Sequence, residues 1–311
     1  MRYHLQLSVG FLLFLCSATW LHADNFDPHQ VPSDAKWVVH VDVDAIQKSQ
    51  TWQAVEQRLE KIDGYEQAIN MVNLIAGVKF PDDIHDVTVY GRDVGNDAWV
   101  LIAHADIARI EFFMKLAATG ASDAAQASDP SEEDPRILSM KNEKGNLYVA
   151  FNEQGLIIVS PIKKNAKSAL TAIDSKIGTI DPDATICAGI QPGQLVYVCG
   201  RDLSHFGNTK NDPMNQLNEG WVAVSEEGAK VMVRSSIVAK TAEEANAIQS
   251  SLETLKLQTI KDANQADADA DTKAAASVAA NVTSKVDART ITIECPISID
   301  LIRSALDQIK P

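Results

Sequence analysis

A chain of 311 residues that is 45% hydrophobic and 23% charged holds enough apolar material for a large core, and sits at the size where one core usually divides into two. Its 28 basic residues face 42 acidic ones, a formal net charge of -14. A surface that acidic repels phosphate backbones and anionic headgroups, which argues against nucleic acid and electrostatic membrane binding and favours cation-bearing partners.

The first 23 residues have the three parts of a secretory signal: Arg2, an apolar run from Leu7 to Leu21, and Leu21-His22-Ala23 ahead of Asp24. Cleavage is expected near Ala23; Leu21 is larger than the small residue usual at that position, so an uncleaved anchor is the alternative. The run is shorter than the roughly 20 residues of a spanning helix. Cys16 follows the bulky Leu15, which disfavours a lipidation box. Removing residues 1–23 leaves 27 basic against 42 acidic residues. No other apolar run approaches spanning length. The expectation is an exported protein of the periplasm, cell envelope or extracellular space, with no transmembrane segment in the mature chain.

In the mature sequence, Pro32-Ser33-Asp34 is a turn. Trp37, Val39, Val41 and Val43 then alternate with Val38, His40, Asp42 and Asp44, which predicts a strand with an apolar face and a chemistry-bearing face. Asp44, with Gln47 three residues on, is the expected cap of the next helix. Trp52, Val55, Leu59, Ile62, Tyr65, Ile69, Val72 and Ile75 form one stripe of a long helix, with a kink expected at Asp63-Gly64. Strands follow at 86–92 and 98–105, the second expected to be buried on both faces. Asp106 is expected to cap a helix through Ala117. Residues 120–135 turn to Ala, Ser, Asp, Glu and Pro, a solvated loop. A meander of strands at 136–141, 146–152 and 155–162 and a helix at 163–176 complete an N-terminal domain of residues 24–178.

The C-terminal domain, 179–311, is expected to open on a hairpin, Thr185–Ile190 and Leu195–Gly200 around Gln191-Pro192-Gly193-Gln194. A register centred on Gly193 sets Cys187 opposite Cys199, where either a cross-strand disulfide or two buried thiols would fit. Strands at 221–225 and 229–238 precede the capping box Thr241-Ala242-Glu243-Glu244, which starts a helix. Residues 262–272 read as a solvated helix continuation or a linker. A small-residue helix through Val278, Val282 and Val286, a strand at 289–297 and a final helix close the chain. The fold class expected is α+β, antiparallel sheets in two halves with helices mainly on one face. Two observations suggest internal duplication. Residues 87–93 and 196–202 match at five of seven positions, and Asp34-Ala35 and Asp183-Ala184 each lead into the first strand of a half.

Two His-x-Asp pairs, His40 with Asp42 and His104 with Asp106, sit at strand ends. Imidazole nitrogen and carboxylate oxygen converging there suit zinc or manganese and would support a metal-assisted hydrolase. The competing reading makes the aspartates helix caps and leaves the histidines at a sheet edge. Asp267, Asp269 and Asp271 imitate a calcium loop that fails at Thr272 and Val278, and Asn281-Val282-Thr283 is a glycosylation sequon. No nucleophile elbow, phosphate loop or dinucleotide fingerprint is present, and no cofactor is called for.

The stretches VPSDAKWVVHVDVDAI, VTVYG, LVYVCGRDL and TAEEANAIQSSLETL together resemble a family of secreted bacterial proteins of uncharacterised function, built from repeated strand and helix units. The resemblance spans most of the mature chain. It implies an architecture and no activity, and the Ala- and Asp-rich segment 262–286 departs from it. The function expected is therefore binding of another protein or an envelope component without catalysis. A carrier for a small apolar ligand in a pocket lined by Trp52, Val55 and Leu59, and the metal-assisted hydrolase, are the alternatives.

Overall fold

The computed structural model describes residues 26–308 apart from 63, 68, 71–78, 80–81, 94–98, 106–133, 135, 143–144, 153–154 and 207–212. The fold is α+β with antiparallel sheets. The described chain divides into two compact units, residues 26–47 with 64–184 and residues 48–63 with 185–308. The last change of unit, at 184/185, lies a few residues beyond the expected boundary at 178/179. Residues 48–63, expected in the N-terminal domain, belong to the C-terminal unit.

In the N-terminal unit β1 (Trp37–Asp42), β2 (Ile84–Gly91), β3 (Trp99–Ala105), β4 (Ile137–Asn142), β5 (Gly145–Phe151) and β6 (Leu156–Ser160) form an antiparallel sheet in the order β1-β2-β3-β6-β5-β4. Helix α1 (Val43–Lys48) follows β1 directly; after Ser49 the chain forms α2 (Gln50–Leu59). Helix α3 (Lys163–Ser175) packs on β3, β5 and β6 with Ala166, Ala169, Leu170 and Ile173, the three-and-four spacing of one helix face.

The two unlike faces of β1 are present, and the chemistry-bearing one is inward. Val38, His40 and Asp42 are buried, whereas Trp37, Val39 and Val41 are half-buried. Register explains the choice. Val38 lies opposite Tyr90, His40 opposite Thr88 and Asp42 opposite Asp86, and β3 adds Val100, Ile102 and His104 to the same face. One strand's alternation marks two unlike faces, but only its neighbours decide which is inward. The segment before β1 is fastened to the end of the unit by Ile180 N donating to the Val31 carbonyl at 2.8 Å and Ser33 N to that of Gly178 at 2.7 Å.

In the C-terminal unit β7 (Gln194–Arg201), β8 (Leu217–Glu227), β9 (Lys230–Ala239), β10 (Thr283–Asp287) and β11 (Thr290–Ser298) are ordered β7-β8-β9-β11-β10. Helices α4 (Ala242–Ala263), α5 (Ala270–Asn281) and α6 (Ile299–Gln308) complete it. Val231, Ile297 and Ile299 form a core with Val278, Leu301 and Ile302 against the sheet. Ala239, Ala245 and Ile291 form another with Ile248 and Val286. The capping box is formed as expected, Glu244 N donating to Thr241 Oγ1 at 3.1 Å and Thr241 N to Glu244 Oε2 at 2.9 Å.

Several boundaries differ from expectation. The long stripe is interrupted close to the expected kink: α2 ends at Leu59, and the chain turns through Gly64 at φ +89°, a conformation that suits glycine, while Val72 and Ile75 lie outside the described residues. Helix α5 stops at Asn281, so Val286 lies in β10. Asp269 is the cap of α5, accepting from Thr272 N at 2.8 Å. The expected cysteine hairpin is absent, because Thr185–Cys187 is a 3-10 turn and β7 pairs with β8. Tyr197 Oη donates to the Ile186 carbonyl, and Gly189 lies so close to Trp221 that any Cβ would overlap the indole. These contacts fold residues 185–190 over the sheet instead of extending them along it. Cys187 and Cys199 are two separate thiols, and burial pushes Cys199 up to about 12, far from a reactive thiolate. The helix expected from Asp106 and nearly all of the expected loop 120–135 lie outside the described residues.

Duplication has a topological counterpart. In each unit three successive strands pair side by side, a later hairpin pairs its second strand with the third of these, and a helix follows: β1-β2-β3 with β5-β6 and α3, and β7-β8-β9 with β10-β11 and α6. This correspondence matches β1 to β7, but Asp34-Ala35 leads into β1 at Trp37 whereas Asp183-Ala184 leads into the 3-10 turn Thr185–Cys187, ahead of β7 at Gln194. It does not match the similar heptapeptides 87–93 and 196–202, which lie on β2 and β7.

The N-terminus of α2 is capped from two places. Ser49 Oγ accepts from Trp52 N at 3.0 Å, and the Glu226 carboxylate, at the turn between β8 and β9, accepts from Gln50 N at 2.8 Å and Thr51 N at 3.0 Å. A negative group on two otherwise unpaired N–H donors also opposes the positive end of the helix dipole. Glu226→Ala is expected to lower stability by about 1–2 kcal/mol, measured by urea unfolding; an unchanged midpoint would show that Ser49 suffices.

Candidate functional site

The buried face of the N-terminal sheet is apolar over most of its area and polar at one end. Tyr90, Val100, Ile102 and Ile158 fill the apolar part, and His40, Thr88, Asp86 and His104 make the polar row. His40 Nδ1 lies 2.9 Å from Thr88 Oγ1, its directly opposite neighbour on β2. His104 Nδ1 lies 2.7 Å from Asp86 Oδ2, again directly across the ladder. Each imidazole is thus anchored at Nδ1 by a cross-strand partner. His40 Nε2 is buried with no hydrogen-bond partner among the described residues.

A cleft of about 370 Å³ opens over this row. His40, Asp86 and His104 line it from the sheet, and Phe26, Asp27, Pro28 and Gln30 from the segment before β1. That segment holds its shape as a short 3-10 turn, Pro28–Gln30, whose cap is Asp27 accepting from His29 N at 2.9 Å. The Phe26 ring lies 5.7 Å from that of His40 at 48°.

Burial holds His40 well below the ordinary histidine value, at about 4. The charge of Asp86 works in the opposite direction and His104 in the same direction, both with less effect. His40 is therefore neutral at pH 7, and its Nε2 offers either a lone pair or one N–H depending on how Thr88 orients its hydroxyl.

The expected ligand set His40, Asp42, His104 and Asp106 is brought together only in part. His40 and His104 do line one cleft. Asp42 Oδ1 accepts from Ala45 N at 2.6 Å and so caps α1, which begins two residues earlier than a cap at Asp44 would require. Asp44 lies in the first turn, fully buried, with an oxygen 3.7 Å from His85 Nδ1. Asp106 lies outside the described residues. Among the described residues, no three His, Cys, Asp or Glu side chains are grouped so as to hold a metal ion. Asp86 and Thr88, which organise the two histidines, were not singled out from the sequence. Their two-residue spacing puts them on one face, but a single sequence gives no register across β1, β2 and β3. Trp52 and Val55, expected in an apolar pocket, are buried in the C-terminal unit on α2, which packs against α6.

No family model matches the chain, and no curated protein matches it. Among solved structures, crystal form III of TP0453 is similar over 93% of this chain and 99% of that one, with a TM-score of 0.51 at 12% identity. Crystal forms IV and I of TP0453 give TM-scores of 0.47 and 0.46 at 12% and 13% identity, covering 92% and 90% of this chain and 98% and 96% of theirs. At such identity the likeness to form III is one of fold. No helix among the described residues is long and apolar enough to cross a membrane.

Because the folded-state value of His40 lies below its unfolded value near 6.5, its contribution to stability is fully present above pH 6.5. It is lost as pH falls toward 4, where the unfolded chain takes up a proton that the folded chain resists. The loss amounts to at most ~3 kcal/mol. Urea unfolding at pH 7 and pH 4.5 is expected to show a smaller acid loss for His40→Gln than for the unaltered chain. A histidine titration of the folded protein with the His40 midpoint near 6.5 would contradict this.

Proposed function

We propose that the chain is an exported, non-catalytic binding protein, freed of its signal segment near Ala23, and that its N-terminal unit takes a small polar ligand in the cleft over His40, Asp86 and His104. Its place among the secreted proteins it resembles belongs to the same reading. The observation that carries it is His40 Nε2, a buried polar atom with no protein partner among the described residues, on a residue that lines the cleft. Leaving such an atom unpaired costs about 1–3 kcal/mol, which favours a site where a bound molecule supplies the missing partner. A volume of about 370 Å³ lies in the range of small-molecule sites.

Binding is favoured over catalysis because the described lining residues offer an imidazole–carboxylate pair but no hydroxyl or thiol, and Thr88 Oγ1 beside them is held by His40. The polar lining favours this cleft over an apolar carrier pocket, since Trp52 and Val55 are core residues. Binding of a larger envelope component would use the same site if that component presents a small polar group.

The test is histidine ring NMR with mixtures of amino acids, sugars, polyamines, dicarboxylates and nucleosides at millimolar concentration. At least one class is expected to shift the His40 and His104 signals while leaving His85 in place. If no class moves either signal, the proposal fails.

A further inference from the structure

We infer that the ligand of this cleft is a small aliphatic amine, its ammonium group received by Asp86 and Asp27 and its hydrocarbon part laid against Phe26. The inference rests on the binding reading above and names the ligand class.

Charge is the first ground. Of the seven described residues that line the cleft two are carboxylates and none is lysine or arginine, in a chain of net charge -14. An anion would enter against both carboxylates with no fixed positive charge among the described lining residues to offset them.

The second ground is vacancy. Asp86 is 3% exposed, yet only its Oδ2 is engaged, by His104 Nδ1; Oδ1 receives no hydrogen bond from the described residues. An ionised carboxylate accepts up to four hydrogen bonds, and burying one half-satisfied is unfavourable. Asp27 is half-buried: Oδ1 takes the His29 N–H, and Oδ2 takes none from the described residues.

His40 supplies independent support. It is 5% exposed, lines the cleft, and its Nε2 lacks a partner among the described residues. In the tautomer with the proton on Nδ1, donated to Thr88, that Nε2 is a third acceptor. An ammonium group carries three N–H donors and no acceptor, the complement of such a lining. A metal ion is the poorer occupant, because among the described residues no three ligating side chains are grouped to hold one. Phe26 adds an apolar wall beside the charged end, and an aromatic ring near an ammonium adds attraction of its own.

The test titrates the full chain with putrescine, and in parallel with 1,4-butanediol, succinate and zinc chloride, following the His40 and His104 ring signals and the heat of binding. Putrescine is expected to saturate, to shift both signals, and to weaken as salt rises. Asp86→Asn is expected to weaken it about tenfold or more, through loss of a charge-assisted hydrogen bond. Since Asp86 is buried, Asp27→Asn provides a second variant less exposed to folding defects, and it is expected to weaken binding in the same direction. Saturable shifts with succinate or butanediol comparable to those with putrescine would overturn the amine assignment while leaving the cleft a binding site. So would zinc binding that putrescine fails to displace. Putrescine binding unaltered in both variants, or absent altogether, would overturn the inference as well.

Discussion

A polar row set into the buried face of a β-sheet is the constraint from which the N-terminal unit follows. Side chains alternate along a strand, so a face that carries Val38, Tyr90 and Ile102 inward also carries His40, Thr88, Asp86 and His104 inward. Polar groups in that position need partners, and the antiparallel register supplies them pairwise, Thr88 for His40 and Asp86 for His104. Asp42, on the same face, turns its carboxylate to the first turn of α1. The short segment before β1 then closes over the row and is tied back to residues 178 and 180.

The comparison of the two units sharpens this. They share a strand order and a trailing helix, but the C-terminal unit packs the helix-facing side of its sheet with Val224, Val231, Val233 and Ile297. A hydrophobic solution to the same architecture was therefore available to this chain. The N-terminal unit departs from it at one end of one face, and departures from a well-packed apolar core mark places where stability has yielded to another requirement.

The sequence was a good guide wherever the determining interaction is local. The capping box at Thr241 and the positions of β2, β9 and α3 were all legible, because each depends on residues within a turn or two. What was not legible depends on long-range pairing. Which face of β1 is inward was not legible, since both faces carry valine, and only pairing with β2 reveals Val38 and His40 as the buried set. Asp42 rather than Asp44 caps α1, a shift of two positions that periodicity does not resolve. His40 and His104 were recognised as candidates from their strand-end positions. Their true organisers, Asp86 and Thr88, became visible only with the register of three strands, and the cover from Phe26 to Gln30 only with the tertiary fold. Thr185–Cys187 reads as strand by composition but curls, since Tyr197 and Trp221 hold it down.

The helix Gln50–Leu59 precedes its partners by a long stretch of chain. Its N-terminal donors wait for Glu226, and it packs against a helix that begins at Ile299. During synthesis this amphipathic segment must remain uncommitted until almost the whole polypeptide has emerged. The C-terminal unit therefore has high contact order and is expected to be the slower to fold. It also means that cutting the gene between the two halves would sever the unit rather than isolate it: a fragment starting at Thr185 would lack a structural piece that only the early part of the chain encodes.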